Sequence, residues 1–209
     1  NGQWVELQSR EEIIRVKGGE DVSITLRRSP HGPIVNDALA NPGQTPIAMW
    51  WAFLETKNPI LDAFYQLNRA DSLAKARTAV AQIHAPGLNV IYANASGDIG
   101  WWAAGKLPQR PAGVNPSFIL DGSNGEADKP GFLPFAANPQ EENPARGYIV
   151  SANYQPDSPT GAAIPGYYNL ADRGVRLNQR LGQTDVKWDT RNSQALQLDD
   201  GTGYGPRLL

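Results

Sequence analysis

Hydrophobic and polar positions follow two different periods along this chain, and the two periods fall in separate stretches. Five stretches show the alternation or the short apolar runs that are typical of strands, namely residues 3–16, 20–28, 45–54, 88–108 and 147–153. Four stretches repeat apolar residues at helical spacing, namely 59–69, 71–84, 168–182 and 185–198. Strands and helices distributed in this way predict an α+β protein.

Turn and cap residues support these elements. Lys-Gly-Gly separates the first two strands, which predicts a hairpin or a meander there. Ala-Asn-Ala-Ser-Gly-Asp interrupts the fourth stretch, which predicts a hairpin. Pro59 suits a first helical turn, and Asp71 or Ser72 is the expected N-cap of the next helix. Thr184 and Asp185 are the expected cap of the last helix.

One long connection and the chain length bound the domain organisation. Residues 108–146 hold much of the proline, glycine and asparagine, but they also hold enough Phe, Leu and Ile to predict a packed loop rather than a flexible linker. A chain of 209 residues is long for one average domain and short for two. We therefore expect residues 1–209 to form a single domain.

Composition excludes several classes of function. The 19 basic and 21 acidic residues give a net charge of −2 without a basic cluster, so nucleic acid is not an expected partner. No apolar run approaches the roughly 20 residues that span a bilayer, so a membrane is not expected either. Cysteine is absent, which excludes disulfides, thiolate nucleophiles and cysteine-ligated zinc.

Few residues suggest a catalytic or metal site by themselves. The two histidines are His31 and His84, and zinc would need carboxylates to complete its ligands. Ser29 and His31 lie two apart without a nucleophile-elbow motif, which argues against a catalytic triad. The segment "DGSNGEAD" (121–128) lacks the oxygen pattern of a calcium loop and is predicted to be a turn.

Two tryptophan pairs leave an alternative open. Trp50–Trp51 and Trp101–Trp102 each place one indole on either side of a predicted strand. A sheet covered on both faces by other layers explains this arrangement and is favoured. A non-catalytic α+β module that binds a ligand or a partner through exposed aromatic side chains is the alternative.

Five motifs follow one another along the chain: "SPHGPIV" (29–35), "VIYANASGDIGWWAAGKLPQR" (90–110), "LPFAANPQEENPARGYI" (133–149), "GYIVSANYQP" (147–156) and "NLADRGVRL" (169–177). Together they resemble the β-chain of the penicillin acylase family, which belongs to the N-terminal-nucleophile hydrolases. The resemblance implies a four-layer αββα fold, in which two antiparallel sheets lie between helical layers. It also implies that a precursor cleaves itself and exposes an N-terminal serine, which attacks an amide carbonyl with its own α-amine as base.

The resemblance implies roles for three residues of this chain. Asn153 aligns with the asparagine whose side-chain NH2 stabilises the oxyanion. Arg173 aligns with the arginine that orients the polar groups of the active site, and Leu88 matches an apolar position on the wall of the acyl pocket. Without the resemblance, Asn153 is a turn former, Arg173 a surface ion-pair residue and Leu88 a core residue.

The departures from the family pattern imply a fragment. Residue 1 is Asn, and the family's serine nucleophile lies upstream of segments like this one, so the nucleophile is not expected in this chain. We expect an interior piece of an acylase β-chain, forming one partial domain and inactive by itself. The family's calcium position has no match in the loop 157–168, so neither a metal nor a cofactor is assigned.

The function expected of the full-length enzyme follows from the resemblance. It would hydrolyse the amide of an acylated substrate, either a β-lactam side chain or an acyl-homoserine lactone. Its partners would be the α-chain and the remainder of the β-chain, and its location would be periplasmic or secreted. A fragment cut from such a fold would expose apolar surface, so self-association is expected.

Overall fold

The computed structural model of the protein describes residues 3–40, 43–156, 164 and 166–203. The chain groups into two compact units, Asn1–Asn58 with Pro108–Leu133, and Pro59–Leu107 with Pro134–Leu209. Within the described residues, each unit contains a three-stranded antiparallel sheet. The α+β class is therefore confirmed, whereas the single domain stays a prediction.

The first unit is built on the predicted N-terminal hairpin. Its sheet has the order β1–β2–β3, and its strands are β1 (Gln8–Ile14), β2 (Val22–Ser29) and β3 (Gly32–Pro33). Glu11 lies opposite Thr25 in the register, and the Thr25 hydroxyl donates to the Glu11 carboxylate at 2.6 Å. Cross-strand pairs of this kind stabilise a sheet from one face. The antiparallel pairing of β1 with β2 confirms the predicted hairpin.

The strand predicted over residues 45–54 is wrong. Ala48 forms only an isolated bridge with Ile34, and a helical turn, α1 (Ala52–Glu55), begins soon afterwards. A short 3-10 helix (Asn36–Ala38) precedes this segment. Gly32 has a φ of +126°, and a Cβ there would overlap the carbonyl oxygen of Met49. The backbone thus approaches closely at one point and does not extend into a ladder.

The return segment of the first unit, Pro108–Leu133, is ordered by local hydrogen bonds. The Gln109 amide donates to the Gly131 carbonyl at 2.8 Å, which runs the two ends of the segment antiparallel. Between them, Asp121 accepts hydrogen bonds from the amide and the hydroxyl of Ser123, at 2.8 and 2.7 Å. This Asx turn confirms that residues 121–128 contain a turn.

Two helices of the second unit follow the predicted pattern. They are α2 (Ile60–Leu67) and α3 (Leu73–Val80). Ser72 is the N-cap of α3, and its hydroxyl accepts from the Lys75 amide at 3.4 Å. Asp71, the other predicted cap, instead pairs with the Lys75 ammonium at 2.8 Å.

The second sheet has the order β4–β5–β6, with strands β4 (Leu88–Ala93), β5 (Ile99–Ala104) and β6 (Gln140–Glu142). The β4–β5 hairpin was predicted, and Asn94 closes its turn by accepting from the Asp98 amide at 3.0 Å. Strand β6 falls in the segment predicted as a loop, and a 3-10 helix (Phe135–Ala137) precedes it. The buried Asn138 donates to the carbonyls of Ala103 and Gly105, both at 2.8 Å, and so holds this short strand against β5.

The two faces of the second sheet differ. Val90 lies opposite Trp102, and both are buried in a core cluster with Ala76, Val80 and Ile83. Ala63 and Ala104 also belong to this cluster. On the other face Ile91 lies opposite Trp101, and Ile91 is 55% exposed. The prediction that Trp101 and Trp102 point to opposite sides of a strand is confirmed.

The C-terminal helices begin later than predicted. They are α4 (Asp172–Leu181) and α5 (Thr190–Gln197). Asp189 is the N-cap of α5 and accepts from the Asn192 amide at 2.8 Å, so the cap predicted at Thr184 and Asp185 is wrong. An aspartate whose carboxylate reaches the third amide of a helix outcompetes earlier polar residues as a cap.

The strand predicted over residues 147–153 is also wrong. Gly147 and Asn153 have φ angles of 75° and 59°, so a left-handed residue stands at each end of the segment. Extended strands require negative φ, and the described residues provide no ladder partner for this segment. The segment is therefore an irregular connection that ends in a left-handed turn at Asn153.

We predict that the two adjacent tryptophans differ in their contribution to stability. Trp102 is fully buried and its indole donates to Glu142 at 3.0 Å, so Trp102→Ala should lower the free energy of unfolding by about 3–5 kcal/mol. Trp101→Ala serves as the matched control and should cost less than about 2 kcal/mol, because Trp101 lies on the more open face. Urea unfolding of the purified variants measures both. Equal losses would contradict the two-faced sheet.

We also predict an acid-sensitive contribution from Glu142. Hydrogen bonds from the Arg77 guanidinium, followed by one from Trp102, hold the pKa of the Glu142 carboxyl below its usual value of 4.5, although burial opposes this. A lowered native pKa stabilises the fold above the unfolded-state pKa, and the stabilisation is lost as the pH falls through the native value. Glu142→Gln should therefore flatten the fall in unfolding free energy below about pH 4.5, whereas the exposed Glu126→Gln should not. A parallel acid profile for Glu142→Gln and the wild type would refute the assignment.

Candidate active site

Arg173 connects helix α4 to the turn at Asn153. Its Nη2 atom donates to Asn153 Oδ1 at 2.9 Å and to the Ala152 carbonyl at 3.1 Å. A cation in the first turn of a helix is unfavourable, because the N-terminal end of the helix dipole is positive. The two acceptors offset this cost. The position of Arg173 is thus explained by the turn that it holds and not by the stability of its own helix.

The Arg173 contact determines which way the Asn153 amide points. A guanidinium group has only donors, so it must face Oδ1 and not the NH2 group of Asn153. The Nδ2 atom is consequently directed elsewhere, and no residue in the described part of the chain accepts from it. Asparagine also tolerates the left-handed φ of 59° better than most residues. The Asn153 side chain is exposed, so an incoming group can reach the donor.

Asp172 ties the same helical turn to a second segment. Its Oδ1 atom accepts from the Thr202 hydroxyl at 2.6 Å and from the Gly203 amide at 2.7 Å. One turn further along, Arg176 donates to both carboxylate oxygens of Asp199, at 2.9 and 2.8 Å. Hydrogen bonds from Arg176 are the main cause of a lowered pKa of the Asp199 carboxyl. These contacts fix the start of α4 independently of Asn153.

A cleft of about 560 Å³ lies beside this turn within the second unit. Ala152 and Tyr154, the neighbours of Asn153, line one wall. The open face of the second sheet lines another, where the Trp101 indole donates to Asn89 Oδ1 at 3.0 Å. Glu141 and Arg146 also line the cleft and form a bidentate ion pair. The hydrogen bonds to Glu141 raise the pKa of Arg146. The walls of the cleft are thus both aromatic and polar.

Two of the three site residues predicted from the sequence lie in contact. Asn153 and Arg173 meet directly, although 20 residues separate them. Leu88 lies elsewhere: it packs against the core cluster, on the face of β4 opposite to Asn89. Its role in an acyl pocket stays a prediction.

Sequence reasoning missed two contributions to this site. Asp172 anchors the helix that carries Arg173, and the Ala152 carbonyl shares the Arg173 guanidinium with Asn153. The helix was predicted to begin at residue 168, so only the observed start at Asp172 places this carboxylate where the dipole favours it. No side-chain signal could identify a backbone carbonyl.

Metal-binding clusters and membrane-spanning helices are two features that the described residues do not form. Among them, no group of three or more His, Cys, Asp or Glu side chains could hold a metal ion. Residues 157–163 and 165, most of the loop in which the family's calcium position was sought, lie outside the described residues. No helix in the described ranges has the length and the apolar character needed to cross a membrane.

The full length of the chain, residues 1–209, matches the family model described as penicillin amidase. The chain belongs to the penicillin amidase family. It is 32% identical to an acyl-homoserine lactone acylase, QuiP, of Pseudomonas syringae pv. tomato over 100% of this chain and 25% of that protein. It is 31% identical to a penicillin G acylase of Escherichia coli, over 90% of this chain and 23% of that protein.

A solved structure supports the same assignment. The thermostable penicillin G acylase from Alcaligenes faecalis matches with a TM-score of 0.75 and 25% identity, over 94% of this chain and 35% of that chain. The resemblance inferred from the five motifs is therefore confirmed. The chain spans about a quarter of the length of the two curated relatives named above.

We predict that Arg173 contributes measurably to stability despite its exposure. Arg173→Ala removes two hydrogen bonds to the turn and should lower the free energy of unfolding by about 1 kcal/mol, at the low end for charged donors because solvent screens the contact. Arg191→Ala in α5 is the matched control and should change it by less than about 0.5 kcal/mol. Urea unfolding measures both variants. If Arg173→Ala were neutral, Arg173 would not hold the turn.

Proposed function

We propose that this chain is part of an amide hydrolase, in which Asn153 donates a hydrogen bond to the oxyanion of the tetrahedral intermediate. One observation carries the proposal: the Arg173 guanidinium holds Asn153 Oδ1 at 2.9 Å, so that Nδ2 is left as an oriented donor on an exposed turn. An oxyanion site needs a donor whose direction is set before the charge develops. Membership of the penicillin amidase family supports the same role.

The proposed reaction uses a serine outside these 209 residues as the nucleophile, as the family resemblance implies. The serine oxygen bonds to the amide carbonyl carbon, its proton passes to the α-amine, and the carbonyl oxygen becomes an oxyanion. Asn153 Nδ2–H donates to that oxygen. The intermediate then collapses, the C–N bond breaks, and the amine leaves with a proton. Water hydrolyses the acyl-enzyme ester and releases the acid.

Arg173 assists this donor electrostatically. A guanidinium bonded to Oδ1 withdraws electron density from the amide, which strengthens the hydrogen bonds that its NH2 group donates. Since Arg173 is exposed, water screens this effect until substrate and the neighbouring protein exclude it.

The substrate class is proposed from the relatives. Those named above are an acyl-homoserine lactone acylase and penicillin G acylases, so an acylated amine of either kind is the proposed substrate. An α-chain and the remainder of the β-chain are the proposed partners, and the chain alone is proposed to be inactive. A periplasmic or secreted location is proposed on the family resemblance alone, and cell fractionation would test it.

The tryptophan pairs give little support to the alternative, a non-catalytic module that binds through exposed aromatic side chains. Trp102 is fully buried, and Trp50 packs against Phe132 with 6.0 Å between ring centroids. Trp101 is partly covered and bonded to Asn89. Of these paired residues only Trp51 is exposed, at 48%. Little aromatic surface is left on them for a ligand.

We predict that Asn153→Asp abolishes most turnover in the longer protein that contains this chain. The aspartate keeps an acceptor for Arg173 and tolerates the left-handed turn, but it presents no donor and adds a negative charge. The turnover number should fall by about 100- to 1,000-fold, with a smaller change in KM. Release of the free amine from N-acyl-homoserine lactones and from penicillin G measures it.

Asn153→Gly is the companion variant. Glycine keeps the φ of 59° without strain and removes the whole amide, so it should lose turnover while its melting temperature falls no further than that of Arg173→Ala. Wild-type turnover in a correctly folded Asn153→Asp variant would overturn the oxyanion role.

A further inference from the structure

Gly174 follows Arg173 in helix α4 and makes room for an aromatic ring. A Cβ at this position would lie 2.6 Å from Cε1 and 2.9 Å from Cδ1 of Tyr154. Real Cβ atoms do not approach carbon so closely, so the ring occupies the space that any larger residue would fill. Tyr154 directly follows Asn153. Two consecutive helix residues therefore contact two consecutive turn residues.

Glycine at position 174 is not explained by backbone conformation. Its φ lies outside the left-handed region, and it is a buried residue inside a ten-residue helix. Glycine there costs about 1 kcal/mol relative to alanine, because it loses more backbone entropy on folding. The contact with Tyr154 is the feature that requires the missing side chain.

Tyr154 is in turn held on both sides. Its ring rests on Gly174, and its hydroxyl donates to the Val150 carbonyl at 3.4 Å. The backbone N–H of Asn169 donates to the backbone carbonyl of Asn153 at 3.0 Å, at the peptide that joins residues 153 and 154. Residues 153 and 154 share a peptide plane, so a ring displacement that rotation of the Tyr154 side chain does not absorb moves the backbone that carries the Asn153 side chain.

We infer that Gly174 and Tyr154 are a positioning pair that sets the direction of the Asn153 amide donor, so that the missing side chain at position 174 serves catalysis. The inference rests on the proposed function. Arg173 fixes the side chain of Asn153, and the packing of the Tyr154 ring on Gly174 fixes the backbone of residues 153 and 154. Neither residue of the pair touches the reacting atoms. Misplacing a catalytic group by about 1 Å costs on the order of 100-fold in rate, so a shift of a few tenths of an ångström should be measurable.

The test compares Gly174→Ala in two backgrounds of the longer protein that contains this chain. In the wild-type background, the turnover number should fall by about 10-fold, with little change in KM, because the ring is pushed away from the helix. In the Asn153→Gly background no amide remains to be misplaced, so adding Gly174→Ala should lower the residual turnover no further. A general structural defect would lower turnover equally in both backgrounds.

Two further variants complete the experiment. Gly87→Ala is the matched control, since a Cβ there meets nothing closer than the Ala104 carbonyl oxygen at 3.7 Å, and its turnover should equal that of the wild type. Tyr154→Ala creates no overlap and should repeat the pattern of Gly174→Ala in both backgrounds, which keeps the test valid if Gly174→Ala folds poorly.

The outcomes separate this inference from the proposed function. Wild-type turnover in both Gly174→Ala and Tyr154→Ala, or an equal loss in both backgrounds, overturns the positioning pair while a damaged Asn153→Asp leaves the oxyanion role standing. Wild-type turnover in Asn153→Asp overturns both. A loss confined to the background that retains Asn153 supports the pair.

Discussion

The bond between the Arg173 guanidinium and Asn153 Oδ1 is the constraint on which the proposed site depends. An asparagine amide has a donor end and an acceptor end of nearly the same shape, and a free side chain would present either one. A donor-only partner removes this ambiguity, because only the oxygen can face it. The same contact gives a cation at the start of a helix its reason to be there.

Three consecutive residues of α4 organise two separate segments, 152–154 and 202–203, around that bond. Asp172 accepts from residues 202–203, Arg173 donates to residues 152–153, and Gly174 leaves space for the Tyr154 ring. Each contact uses a different physical property: a carboxylate at the positive end of the helix, a guanidinium nitrogen that donates two hydrogen bonds, and an absent side chain. Because neighbouring helix residues point in different directions, one helical turn can serve all three.

The second sheet supports this arrangement by using its faces differently. One face carries Trp102 into the apolar core, and the other presents Trp101 and Asn89 to the cleft. At its edge, Glu142 joins the Arg77 guanidinium to the buried Trp102 indole. The chain covers about a quarter of the length of its curated relatives.

Local physics alone determined the two hairpins, helices α2 and α3 and the α+β class, and the order of five motifs indicated the family by resemblance. Turn residues, caps and hydrophobic periods act between near neighbours, so they can be recognised in the sequence. Tertiary structure decided where the strand predicted over 45–54 breaks, because Gly32 approaches the distant Met49 backbone closely. It also decided the end of the segment 147–153, because Arg173 and Asn169 hold the left-handed turn at Asn153. It alone also brought Asn153 to Arg173 and the Tyr154 ring to Gly174, since contacts across 20 residues arise only when the packing of α4 places them together.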